Sequence, residues 1–286
     1  MTGEPAPEAC LVLDARRTRL RIGLFGRAVH VLGEGMAPVL HPIARLHRVA
    51  ILGDAVLDSA VVRALADAAK PVGWLDGDGR LRAVLLPLGR RRTTVAEALD
   101  RLAERPDWAG RLEDWRLARL SRLARTFVPD PAGAARVGWS GAEALLCAAV
   151  PASRARRARL AAEARSHALL VALAGLGTAG VPGRWMGTAG DPMRNLVPLF
   201  GQIALWHLVR RILRSPRLRR SLAQAYASDG RAGAPGAGPA TAALLASAEG
   251  PLRQTLIGEF RMFHAWLLDL TAASSGLEPE GLPWVG

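Results

Sequence analysis

Apolar and polar residues alternate with a strict period of two from Arg19 to Leu24, the spacing of a strand with one wet face. Short apolar runs at 10–13, 28–32, 37–40 and 48–52, separated by Gly- or Pro-containing turns, predict further strands in a meander. The period then changes. Val61, Val62, Leu65 and Ala68 share one helical face, and Lys70-Pro71 ends that helix. Two apolar runs, 72–75 and 81–86, flank Asp76-Gly77-Asp78-Gly79 and predict a closing hairpin, because glycine accepts the positive φ such turns need.

Beyond Arg90-Arg-Arg the pattern is helical to the end of the chain. Thr94 and Glu97 have capping-box spacing, with Val95, Leu99 and Leu102 on one face. Residues 106–123 form a helix carrying Trp108, Leu112 and Trp115, which Val128-Pro-Asp-Pro-Ala-Gly breaks, and 142–150 is a short apolar segment. A long apolar run follows Leu160. Asp191-Pro192 then predicts a capped start for a buried helix leading through Phe200-Gly-Gln into a cluster of arginines. Residues 228–241 hold Gly, Ala and Pro but no large apolar side chain, and predict a mobile loop. The last helix is 252–270. The predicted fold class is α+β, with an N-terminal β-rich domain carrying one helix (residues 9–89) and an all-α C-terminal domain (residues 93–286).

At 286 residues and 50% hydrophobic content the chain can bury a substantial core without staples. Cys10 and Cys147 are far apart and lack metal-ligand spacing, so two ordinary thiols in a reducing compartment are expected. The acidic, proline-containing N-terminus does not resemble a secretory signal, and the longest apolar runs contain glycines, which places the protein in the cytoplasm with no membrane partner. The net charge is +13, nearly all arginine, with Lys70 the only lysine. That excess predicts attraction to a polyanion, and nucleic acid is the natural partner. Arg154, Arg156, Arg157, Arg159 and Arg165 form either a phosphate-binding face or a solvated helix face. A helical protein with a β domain and no nucleic-acid role also fits the composition. No P-loop, CxxC pair or His-Glu-x-x-His motif is present.

The order Arg19-Leu-Arg, Pro42-Ile-Ala-Arg45-Leu46, Val49-Ala-Ile-Leu, Lys70-Pro71-Val72, Trp74-Leu75-Asp76 and Gly79-Arg80-Leu81 resembles the N-terminal β domain of the CRISPR spacer-acquisition integrase family. Leu160-Ala-Ala-Glu163 resembles that family's Glu-bearing helix, and Asp191-Pro192 with Phe200-Gly201 resembles its Asp-Pro and Tyr-Gly-Tyr positions.

The resemblance implies DNA end joining by a divalent metal held between a glutamate, a histidine and an acid. Glu163 takes the glutamate position. With Phe260-Arg261 fixing the register, Thr255 and Gly258 replace the two acids and Leu244-Leu245-Ala246 replaces the histidine motif. The expected reading is a catalytically inactive DNA-binding or assembly subunit with a vestigial Glu163, lost positions Ala246, Thr255 and Gly258, and no cofactor. The alternative is an active enzyme using Mg²⁺ or Mn²⁺, with Glu163 and Glu259, His207 or His264 completing a rearranged site. The histidines are otherwise ordinary helical residues, and Glu163 could simply pair with a neighbouring arginine. The resemblance also implies a homodimer through the β domain, or a heteromer with an active paralogue, and a small ferredoxin-like adaptation partner.

Overall fold

The computed structural model describes residues 9–16, 18–85, 94–127, 137–150, 153–187, 194–227 and 244–272. Strands β1 (Ala9–Asp14), β5 (Leu46–Leu52), β7 (Val72–Leu75) and β8 (Leu81–Leu85) form one sheet in the order β1-β5-β7-β8. Strands β2 (Leu20–Phe25), β3 (Ala28–Gly33), β4 (Val39–Pro42) and β6 (Ala55–Leu57) form a second, in the order β4-β3-β2-β6. The expected meander holds for β2, β3 and β4, which pair antiparallel. It fails for β1, β5 and β7, which run parallel. Parallel pairing needs a long crossover, supplied first by the second sheet and then by β6 with helix α1 (Ser59–Asp67). The hairpin β7–β8 forms as the turn residues predict, with Gly79 at φ +79°.

β5 explains how the two parts of the chain are joined. All seven of its residues are buried, the mark of a strand covered on both faces. Its period of two sends Val49 and Ile51 into a β-domain core with Leu20, Ile22, Val29 and Leu65, while Ala50 and Leu52 join the core of the helical part; Leu46, on the far side of the register shift between Leu46 and Arg48, also packs in the β-domain core. Arg48 lies on this strand and is 2% exposed.

The helical part contains α2 (Thr94–Ala103), α3 (Trp108–Ala124), α4 (Trp139–Ala149), α5 (Arg154–Thr178), α6 (Leu196–Arg214), α7 (Pro216–Ala227) and α8 (Glu249–Ala272). α5 and α6 pack together at its centre, with α3, α4 and α8 against α6. Trp115, Phe200, Phe260, Phe263 and Trp266 form an aromatic cluster with centroid spacings from 4.3 Å (Phe200–Phe260) to 6.1 Å (Trp115–Phe200). α2 begins at Thr94 itself, so Thr94 is a helical residue and not the cap that the spacing to Glu97 suggested. The described part of α6 is capped by Asn195, whose Oδ1 accepts from the Val197 N–H at 3.0 Å. Asp191-Pro192, the 89/93 boundary and the loop 228–241 lie outside the described residues. α6 is long and apolar enough to cross a membrane by length and composition, but Phe200, Ile203, Leu205, Leu208 and Val209 are fully enclosed in the core.

Candidate functional site

Glu163 sits in the first half of α5 and is 5% exposed. The β7–β8 hairpin lies directly on this stretch of helix. A Cβ on Gly79 would come within 2.2 Å of the Glu163 Cγ, and one on Gly73 within 2.3 Å of Leu170. Glycine at these two positions is what allows the backbone to approach so closely. The contact is fixed by the Leu81 N–H, which donates to the Ser166 hydroxyl at 3.0 Å. Glu163 Oε1 accepts from Arg159 Nε at 3.0 Å, one turn earlier on the same helix.

One turn further along, His167 Nδ1 lies 2.8 Å from Arg48 Nη2. A guanidinium can only donate, so Nδ1 is the acceptor and the neutral ring carries its proton on Nε2. Arg48 also holds Glu249, the first residue of α8. Its Nε donates at 3.0 and 3.2 Å to Oε1 and Oε2, and its Nη2 at 2.8 Å to Oε2. His47 Nε2 stands 3.8 Å from Glu249 Oε1. Three distant segments, β5, α5 and the start of α8, are thereby tied together by one buried cation.

The electrostatics follow from that enclosure. Burial, aided by the Arg48 charge, pushes His167 down to about 3, so the ring is neutral at physiological pH. Burial alone would raise Glu249, but the charge and hydrogen bonds of Arg48 together with the neighbouring His167 and His47 outweigh it and hold the carboxyl below its usual value. Cys10, opposite Arg48 in the β1–β5 register, is pushed up to about 12 by burial and remains a thiol. Both cysteines are free.

Beside Glu163 is a cavity of about 30 Å³ lined by Arg48, Gly79, His167 and Leu245, among others. That is room for about one water. Leu245 belongs to the helical turn 244–247, where the resemblance would put a histidine motif, and Ala246 is half-buried next to it. Thr255 and Gly258 are exposed on α8, and a Cβ on Gly258 would meet open space.

Glu259 is buried elsewhere, among α3, α6 and α8. Its carboxylate accepts from Arg119 Nε at 2.5 Å and Nη2 at 2.6 Å, and lies 2.7 Å from His207 Nε2. The structure therefore brings Glu259 and His207 to each other, and pairs Glu163 with Arg159. His264 lines a separate apolar cavity of about 340 Å³ with Val171, Gly175 and Phe260. Of the arginines on α5, Arg154 and Arg157 are exposed and Arg156 is half-buried. Arg165 pairs with Glu143 at 2.6 Å and lies over the Trp139 ring.

These residues do not fit a divalent ion. The imidazole lone pair and the carboxylate that could have ligated one are both turned to Arg48, and a guanidinium takes the same donors as a metal cation would. Among the described residues no group of three or more His, Cys, Asp or Glu side chains could hold a metal. Sequence reasoning missed Arg48, His167 and Glu249. The available signal was the His47-Arg48 pair inside a strand otherwise made of Leu, Val, Ala and Ile.

No protein-family model matches the chain, and no curated protein matches it. Solved structures do. A Cas1 protein from Thermotoga maritima superposes with a TM-score of 0.65 at 11% identity, over 96% of this chain and 99% of that one. TtCas1 gives 0.60 at 17% identity, over 89% and 98%. TtCas1 in its DNA complex gives 0.52 at 17% identity, over 96% and 95%. With the β domain, the Glu-bearing helix and the helical core all in place, the chain has the fold of the Cas1 proteins.

Proposed function

We propose that this protein is a spacer-acquisition integrase relative that acts in the cytoplasm as a DNA-binding or assembly subunit and does not itself join DNA ends. The observation that carries this reading is the Arg48–His167–Glu249 cluster beside Glu163. End joining in such a fold needs a metal held against the attacked phosphate, where charge neutralisation and positioning are lost together if ligands are missing. Here a fixed internal cation neutralises the buried imidazole and carboxylate, and Leu245 lines the small cavity next to Glu163. The fold is kept while the chemistry is not.

DNA is the partner that the +13 charge favours. A second copy of the chain, or an active paralogue, would dock on the outer face of the second sheet. By the period of two, Phe25, Leu32, Leu40 and Val56 share that face, and they are 66%, 38%, 48% and 44% exposed. Arg21 and His30 lie among them on the same face, and exposed apolar side chains mixed with polar ones in this way suit an interaction surface. A small ferredoxin-like adaptation protein would complete the assembly.

The test is strand transfer and cleavage on a branched DNA with Mg²⁺ or Mn²⁺. The expected result is salt-sensitive DNA binding without product, unchanged by Glu163→Ala. Metal-dependent product that disappears in Glu163→Ala would replace this reading with that of a working enzyme.

A further inference from the structure

The cavity of about 340 Å³ that His264 lines opens between α2, the second half of α5 and the middle of α8. Val171, Leu256, Ile257 and Phe260 make its walls apolar. A Cβ on Gly175 of α5 would stand 2.5 Å from Phe260 Cε2 of α8, so glycine there lets the two helices meet along the cavity. Arg253 and Arg261 bring positive charge, and among the described residues no carboxylate lines the cavity. His264 Nε2 is buried without a hydrogen-bond partner among the described residues, a state that calls for a partner from outside them. A cavity of this size, mostly apolar with a few convergent polar groups, is built to be occupied.

The sequence supplies an occupant of matching chemistry. Residues 273–286 follow α8 and lie outside the described residues. They contain Leu277-Glu-Pro-Glu-Gly-Leu-Pro-Trp-Val285, with two glutamates and no lysine or arginine, in a chain that has 38 basic residues elsewhere. Large apolar side chains set among acids are the converse of an apolar cavity edged by arginines. The reach is sufficient. His264 and Leu256 stand roughly 12 and 24 Å before Ala272 along α8, at 1.5 Å per residue. The stretch from Ala272 to Trp284 spans up to about 40 Å when extended. Pro279 and Pro283 restrict the free chain, which lowers the entropy lost on docking.

We propose that residues 277–285 dock into this cavity on their own chain, with Trp284 as the apolar anchor and Glu278 and Glu280 set against Arg253 and Arg261. An indole brings a large apolar area and an N–H at little rotamer cost, which suits it to anchor a segment in such a pocket. Tethering makes the contact efficient. A segment joined by a short linker acts at an effective concentration of roughly 1 mM, so a contact that is weak between separate molecules is largely formed within one. The docked segment closes the seam of α2, α5 and α8 from solvent and keeps its apolar walls from capturing other chains.

The experiment is fluorescence anisotropy of a fluorescein-labelled synthetic peptide of residues 275–286 with the full chain and with its Leu282→Ser/Trp284→Ser variant. The variant, whose own segment no longer anchors, should bind the peptide at least about tenfold more tightly than the unmodified chain, where the tethered segment competes. Adding Ile257→Asp to the variant, which puts a like charge on the cavity wall, should abolish binding. Adding Arg261→Glu, an exposed change, should weaken binding by about 3-fold or more, and a peptide with Glu278→Arg/Glu280→Arg should recover it, which separates lost complementarity from lost folding. No binding by the variant, or equal binding by the two proteins, overturns the proposal. So does 1-anilinonaphthalene-8-sulfonate fluorescence as strong with the unmodified chain as with the variant, which would mean a cavity left open to small apolar anions. Competition in the unmodified chain that weakens on dilution would assign the segment to a second copy and overturn docking within one chain.

Discussion

Replacing Arg48 with methionine removes the buried cation while keeping an unbranched side chain of similar reach. Arg48 and Glu249 are 2% and 6% exposed in their side chains, and three hydrogen bonds of 2.8 to 3.2 Å join them. Removing one partner of such a pair leaves the other charge uncompensated, which costs about 3–5 kcal/mol. For a chain of this size that lowers the melting temperature by roughly 5–15 °C. Arg48→Met/Glu249→Met removes both charges, leaves His167 Nδ1 without its donor, worth about 1–3 kcal/mol, and takes the carboxylate from the weaker contacts of Cys10 and His47. The double variant should therefore be no less stable than Arg48→Met alone. Urea unfolding of the four proteins of the cycle, followed by tryptophan fluorescence, should give a coupling of about 2 kcal/mol or more. Losses that simply add to within about 0.5 kcal/mol would show that the two side chains do not stabilise each other and would refute the account of this cluster.

The same cluster sets a pH dependence. His167 has a folded pKa of about 3 against 6.5 for the free side chain, so the unfolded chain binds the proton first and stability falls as pH drops from about 6.5 toward 3. Glu249, with its pKa lowered, adds a loss in the same direction below its ordinary value. His167→Gln, which retains an acceptor, should flatten the melting-temperature profile between about pH 6.5 and 4.5; an unchanged slope would assign the acid sensitivity elsewhere. Gly79→Ala forces both a strained φ and a clash with Glu163, and should cost at least about 1 kcal/mol; a neutral effect in thermal unfolding would mean the hairpin does not rest on α5. Phe25→Asp/Leu40→Asp should turn a dimer into a monomer by light scattering, and an unchanged mass would move the interface off the outer sheet face.

Local pattern carried much of the fold. The alternation through Arg19–Leu24 identified β2, Asp76–Gly79 identified the hairpin, and the spacing of Leu99 and Leu102 identified the buried face of α2. Parallel pairing of β1, β5 and β7 was not legible, because partners so far apart in sequence leave no local trace. The site shows the same division. Glu163 could be found from its helix, but Arg48 and Glu249 are 201 residues apart, and nothing near either residue names the other. The arginines of α5 stood out as a run, yet two of them are spent on neighbouring carboxylates.

The claim that an internal guanidinium has replaced a metal at the centre of this fold is tested most directly by Mn²⁺ titration followed by electron paramagnetic resonance. Protein at about 100 µM should leave the six-line signal of free hydrated Mn²⁺ undiminished, since a site without converging carboxylate and imidazole ligands cannot compete with water for the ion. Loss of one equivalent of that signal per chain, restored by Glu163→Ala, would contradict the account.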